Sequence, residues 1–229
     1  MNDYVIYYGL TFLALIITVG AQIFINAMYG KYKKVPNMKG KSGAEVAREI
    51  LDKNGLQDIY VVETKGNLTD HYDPRRKVVR LSSDVYHKEA ISSVAVAAHE
   101  CGHAIQDKDN YSFMRIRAAL VPFVNFSSYA GYFAIVIGVV TNLIDLIWLG
   151  ILFEVVILLF QLVTLPVEID ASKRAMKELE TMAVLDKDEL DKGRMVLIAA
   201  AMTYVASVAS AVLELLRLIL IYGKNDNNR

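Results

Sequence analysis

Four stretches of the chain are apolar all the way round rather than along one face: residues 4–29, 120–140, 143–165 and 195–222. Crossing the hydrocarbon core of a bilayer takes about 20 helical residues, and each stretch is long enough. A soluble domain of this length spaces its apolar positions at helix or strand period instead. The pattern therefore predicts four transmembrane helices. Thr141 and Asn142 almost alone part the second from the third, so those two should form a tight antiparallel pair.

Polar and apolar positions mix in residues 30–118, which read as a small domain outside the bilayer. Over 42–54 the apolar side chains Ala44, Val46, Ala47, Ile50 and Leu51 share a helix face, and Gly55 supplies the stop. Residues 59–63 and 77–81 are rich in β-branched side chains and bounded by turn formers, which predicts two short strands with a loop over 67–74 between them. Residues 89–106, dominated by Ala, Val and Ile, predict a further helix. A charged connection over 166–194 joins the third span to the fourth. The expected fold is mainly α: a four-span membrane helix bundle with a small α+β domain.

Charge adds an orientation. The chain has 25 basic and 25 acidic residues, so its balance offers nucleic acid no attraction and none is expected as a partner. Lysine and arginine are unevenly placed, with 16 between the first two spans, 6 in the 167–194 connection and none between the second and third. By the positive-inside tendency both charged segments should lie in the cytoplasm and both termini outside. The opening Met1-Asn2-Asp3 has no basic run, so no cleavable signal peptide is expected. With one cysteine, Cys101, no intrachain disulfide is possible.

The candidate chemistry lies in the 89–106 helix, where residues 99–103 read His-Glu-Cys-Gly-His. Positions i and i+4 share a helix face, so His99 and His103 can hold one tetrahedral zinc ion. Glu100, next to the first ligand, is placed as the general base for a zinc-activated water. A zinc hydrolase takes a third protein ligand and leaves the fourth position open. No histidine follows His103, and the segment just past span three offers Glu168 and Asp170.

Three stretches carry a family resemblance: Asn67-Leu-Thr-Asp-His-Tyr-Asp-Pro-Arg75 running on to Val78-Val-Arg-Leu-Ser82, Val96-Ala-Ala-His-Glu-Cys-Gly-His-Ala-Ile-Gln106, and Leu165-Pro-Val-Glu-Ile-Asp-Ala-Ser-Lys-Arg-Ala175. Together they resemble the YugP-type neutral zinc metallopeptidases of bacterial membranes. More distantly the chain is similar to the heat-shock membrane protease HtpX and to the CAAX-processing peptidases. In those, a glutamate on a later helix is the third ligand and an aspartate follows four residues on. The resemblance implies Glu168 as ligand. Ser172 stands where those relatives carry the aspartate, and Asp170 lies two residues on, which keeps Asp170 as the alternative ligand.

The expectation is thus an integral membrane zinc metalloendopeptidase whose zincin-like domain and active site face the cytoplasm. Metal would be held by His99, His103 and Glu168, with Glu100 catalytic. Its partners would be peptide or protein substrates, membrane proteins among them, and membrane lipid. The alternative is a non-catalytic membrane protein holding structural or transported zinc in a closed site, with His71 as a further ligand. Cys101 should be a small packing residue. The 78–81 strand is a candidate edge for an extended substrate. Arg174 or His71 is a candidate oxyanion stabiliser, and Asp73 a candidate partner orienting a ligand imidazole.

Overall fold

The computed structural model describes residues 3–226; the termini expected outside the membrane, residues 1–2 and 227–229, lie beyond them. Seven helices and three strands follow in the order α1 (Asp3–Tyr32), α2 (Gly43–Lys53), β1 (Tyr60–Thr64), β2 (His71–Asp73), β3 (Val78–Ser82), α3 (Ser83–His87), α4 (Ile91–Lys108), α5 (Ser112–Thr141), α6 (Ile144–Thr181) and α7 (Lys187–Asp226). Among the described residues α1, α5, α6 and α7 are long and apolar enough to cross a membrane. The fold is mainly helical with one small sheet, as the hydrophobic pattern predicts. All four long helices extend beyond their apolar runs, and α6 continues through Pro166 to Thr181. The expected charged connection is therefore largely helix, broken only between Thr181 and Lys187.

The chain divides into two compact units. One gathers Ile116–Leu165 with α1 up to Gln22 and α7 from Thr203. In it α5 and α6 pack closely because glycine removes the side chain at the contact. A Cβ at Gly131 would lie 2.9 Å from the Phe153 Cβ, and one at Gly150 would lie 3.0 Å from the Gly131 carbonyl oxygen. Small residues allow this close approach where both helices are apolar. Asn142 closes α5 with φ +57°. The Leu143 amide then donates to the Gly138 carbonyl at 2.9 Å, which turns the chain straight into α6.

The other unit comprises Ile23–Arg115 and Pro166–Met202. α2 begins with a capping box: Ser42 Oγ accepts from the Glu45 amide at 3.3 Å, and the Glu45 carboxylate accepts from the Ser42 amide at 2.8 Å. Asp186 and Glu189 repeat the device at the start of α7, with bonds of 2.8 and 3.1 Å. Val46, Ala47, Ile50 and Leu51 of α2 share one buried core with Val94, Ala98, Cys101 and Ala104 of α4. Burying each large aliphatic chain there contributes about 1.5–3 kcal/mol.

The sheet has the order β1-β3-β2, with β1 parallel and β2 antiparallel to β3. Two expectations change here. The 67–74 loop contains a third strand, and the 78–81 strand is central rather than an edge, so both its sides are taken by its neighbours. Asp70 accepts from the Ser82 amide at 2.7 Å and pins the start of β2 to the end of β3.

Candidate metal centre

The motif occupies the middle of α4, whose alanine-rich run favours helix. Its turns sort side chains by face. Ala97, Cys101 and Ala104 join the hydrophobic core, and Cys101 is fully buried with its thiol against the Ala47 carbonyl oxygen, as its packing role requires. Burial also pushes that thiol far above its ordinary range, so it is inert. His99, His103 and Gln106, at spacing i, i+4 and i+7, turn instead towards α6.

Three small residues let α6 come close. A Cβ at Gly102 would lie 2.5 Å from the Ala171 carbonyl oxygen, so the helices meet backbone to backbone. Ala171 and Ala175 present the matching surface and are fully buried. This contact carries Glu168, one turn before Ala171, up to the two histidines.

Glu168 Oε2 lies 3.3 Å from His99 Nε2 and 3.5 Å from His103 Nε2. The two imidazoles stand 4.8 Å apart at 83°. One ligand atom from each of the three residues falls within 4.8 Å of the others. Zinc bonds near 2.0–2.1 Å place tetrahedral ligand atoms about 3.3–3.4 Å apart, so the donor set and its spacing suit zinc. The electrostatics agree. Burial alone would lower the His103 imidazole, but the Glu168 hydrogen bond and the Glu100 charge outweigh it and raise it. The pocket thus favours a cation among its carboxylates.

The back of each imidazole is also held. His99 Nδ1 is 3.1 Å from Ser172 Oγ, and His103 Nδ1 is 3.0 Å from Gln106 Oε1. Gln106 is fully buried, and its amide nitrogen donates to the Val167 carbonyl at 2.8 Å and to Asp170 at 2.9 Å. Both are acceptors, which settles which end of the amide is nitrogen. The remaining oxygen can only accept, so His103 Nδ1 donates to it, which directs Nε2 towards Glu168 and His99 and leaves it the nitrogen that could bind a metal on losing its proton.

Asp170 accordingly lies behind the cluster rather than in it, bound to Gln106 and to Arg174 Nε at 2.6 Å. Other candidates fall elsewhere. Arg174 is engaged by Asp170 and Asp109. His71 is exposed on β2, with Nδ1 2.8 Å from the Thr69 carbonyl oxygen. Asp73 orients no imidazole; it accepts from the Arg75 and Arg76 amides at 3.0 and 3.2 Å. Ser172 and Gln106 fill the place proposed for it. Gln106, three residues after His103 on one helix, was within reach of helical spacing; Ser172 required the pairing of two distant helices.

Glu100 is 7% exposed, and no hydrogen bond or ion pair joins its carboxyl to another described residue. Burial pushes that carboxyl above the ordinary glutamate range, against the opposing pull of His99 and His103.

A family model described as "Putative neutral zinc metallopeptidase" matches residues 7–223 of the chain. A Bacillus subtilis (strain 168) protein described as "Putative membrane protease YugP" is 42% identical over 220 residues, covering 95% of this chain and 98% of that protein. No solved structure matches.

Proposed function

Because the chain belongs to this family of neutral zinc metallopeptidases, we propose that it is a membrane-embedded endopeptidase that hydrolyses peptide bonds at the cytoplasmic face. One observation carries the reading: His99, His103 and Glu168 converge at zinc-ligand spacing with the unpartnered carboxyl of Glu100 alongside. Three ligands, not four, leave room for water and substrate, as catalytic sites require.

His99 Nε2, His103 Nε2 and Glu168 Oε2 would hold the ion. Bound zinc lowers the pKa of a water to about 7 and polarises the carbonyl to be attacked. Glu100 takes the proton of the attacking water and passes it to the leaving amine. Burial raises its carboxyl, and so its affinity for the proton it takes. Ser172 and Gln106 hold the imidazoles in the ligand orientation, and Asp170 holds Gln106. An extended substrate would pair with β2, an edge strand tied to α4 through the Tyr72 hydroxyl and Asp107 at 3.0 Å. The cytoplasmic orientation rests on the 16 basic residues between the first two spans.

The test is cleavage of fluorescein-labelled casein by the purified full-length protein. Cleavage should cease with 1,10-phenanthroline and return with stoichiometric zinc. Zinc bound at one per chain without any cleavage, by protein of native helix content, would point to structural or transported zinc instead.

A further inference from the structure

On the far side of Ser172 from His99, α6 and α7 enclose a groove of about 450 Å³, with Ser172 in its lining. Its floor is apolar, formed by Met176, Leu197 and Ile198, and Ile198 is 44% exposed. Lys173, Lys177 and Arg194 line it from exposed positions, against the single carboxylate of Glu180, so the lining is net positive. Neither lysine side chain has a hydrogen bond or ion pair with another described residue. Arg194 has only a 3.6 Å approach to Asp191, with both side chains well exposed. Such a pair contributes little.

The groove lies where two spans meet the aqueous side. Ile169 on its α6 wall is one turn beyond the apolar run that ends at residue 165, and Leu197 and Ile198 belong to the first turn of the run that begins at 195. Phosphate headgroups occupy this depth, and basic pockets between membrane helices on the cytoplasmic side hold anionic ones. Both walls are helices whose backbone groups are bonded internally. They offer a peptide no main-chain partners, whereas an acyl chain needs none.

We propose that this groove binds one anionic phospholipid. Lys173, Lys177 and Arg194 take the phosphate, and an acyl chain lies on Met176, Leu197 and Ile198. This rests on the membrane reading and is independent of peptidase activity.

The test is native mass spectrometry of the full-length protein in detergent, titrated with phosphatidylglycerol or with phosphatidylcholine of the same chains. One phosphatidylglycerol should bind per chain, and phosphatidylcholine far more weakly. Removing the cations together (Lys173→Gln, Lys177→Gln, Arg194→Gln) should weaken phosphatidylglycerol roughly 100-fold, about fivefold for each. Lys177→Gln alone, at an exposed position, gives the same sign should the triple variant fold poorly. Zinc content should stay at the parent level in both. Equal binding of the two lipids, or undiminished binding by the triple variant, overturns the proposal. So does displacement of the lipid by millimolar inorganic phosphate, which marks a free-phosphate site. Displacement by unfolded casein overturns it too, since the groove would then be a substrate channel.

Discussion

Gly102→Ala probes the contact on which the metal centre depends. The added Cβ would lie 2.5 Å from the Ala171 carbonyl oxygen and 3.1 Å from its carbon, and backbone atoms cannot swing aside. Restoring ordinary contact means parting α4 from α6 by roughly 1 Å. Such overpacking costs about 1–3 kcal/mol, partly offset by about 1 kcal/mol because alanine is the better helix former. Folding should therefore suffer little, by roughly 0–2 kcal/mol. The ligands are less forgiving, since metal–ligand distances tolerate about 0.2 Å and Glu168 moves with Ala171. We expect zinc affinity, measured by competition with a chromophoric chelator, to fall at least about tenfold, and hydrolysis about 100-fold. Gly193→Ala is the control: its nearest neighbour would be the flexible Leu185 Cδ1 at 3.4 Å, so zinc affinity should not change. Parent-like affinity in Gly102→Ala would show that this contact does not set the position of Glu168.

Glu168→Ala should abolish stoichiometric zinc, whereas Asp170→Ala should lower affinity by about 10- to 100-fold through loss of the Gln106 anchor; equal losses, read by the same chelator competition, would place Asp170 on the metal. Cys101, fully buried, should resist maleimide in the folded protein and react only after denaturation; rapid labelling of the native state would contradict its place in the core. That silent background permits topology mapping with single cysteines. Membrane-impermeant maleimide added outside intact cells should reach Thr141→Cys and miss Lys39→Cys and Asp186→Cys, and labelling at Lys39 would move the site to the other face.

Legibility in the sequence followed the range of the interaction. The four spans and the helix over 42–54 could be read because their signals are local: apolar runs, an apolar helix face, a terminal glycine. His99 and His103 could be paired because one helix fixes their spacing. β2 was hidden because only Tyr72 interrupts its polar neighbours, and three residues hold too little alternation to mark a strand. The central place of β3 depends on parallel pairing with β1, a contact between segments that meet only in the fold. The charged connection was expected to begin at residue 166, yet α6 runs on through Pro166 to Thr181. That continuation sets Glu168, Asp170 and Ser172 at helical angles: the first to the histidines, the second to Gln106 and Arg174, the third to His99. Asp73 looked suited to orienting an imidazole only while its own loop was unplaced; in the fold it caps a turn at Arg75 and Arg76.

The central claim is that zinc is held by three residues while a fourth, Glu100, moves the proton. Glu100→Gln separates the two roles, because it keeps the shape and removes the base. Zinc per chain and casein cleavage, measured on one preparation beside the parent, should show zinc retained at one per chain and cleavage lost. Cleavage at the parent rate by Glu100→Gln would contradict the mechanism, whatever the zinc content.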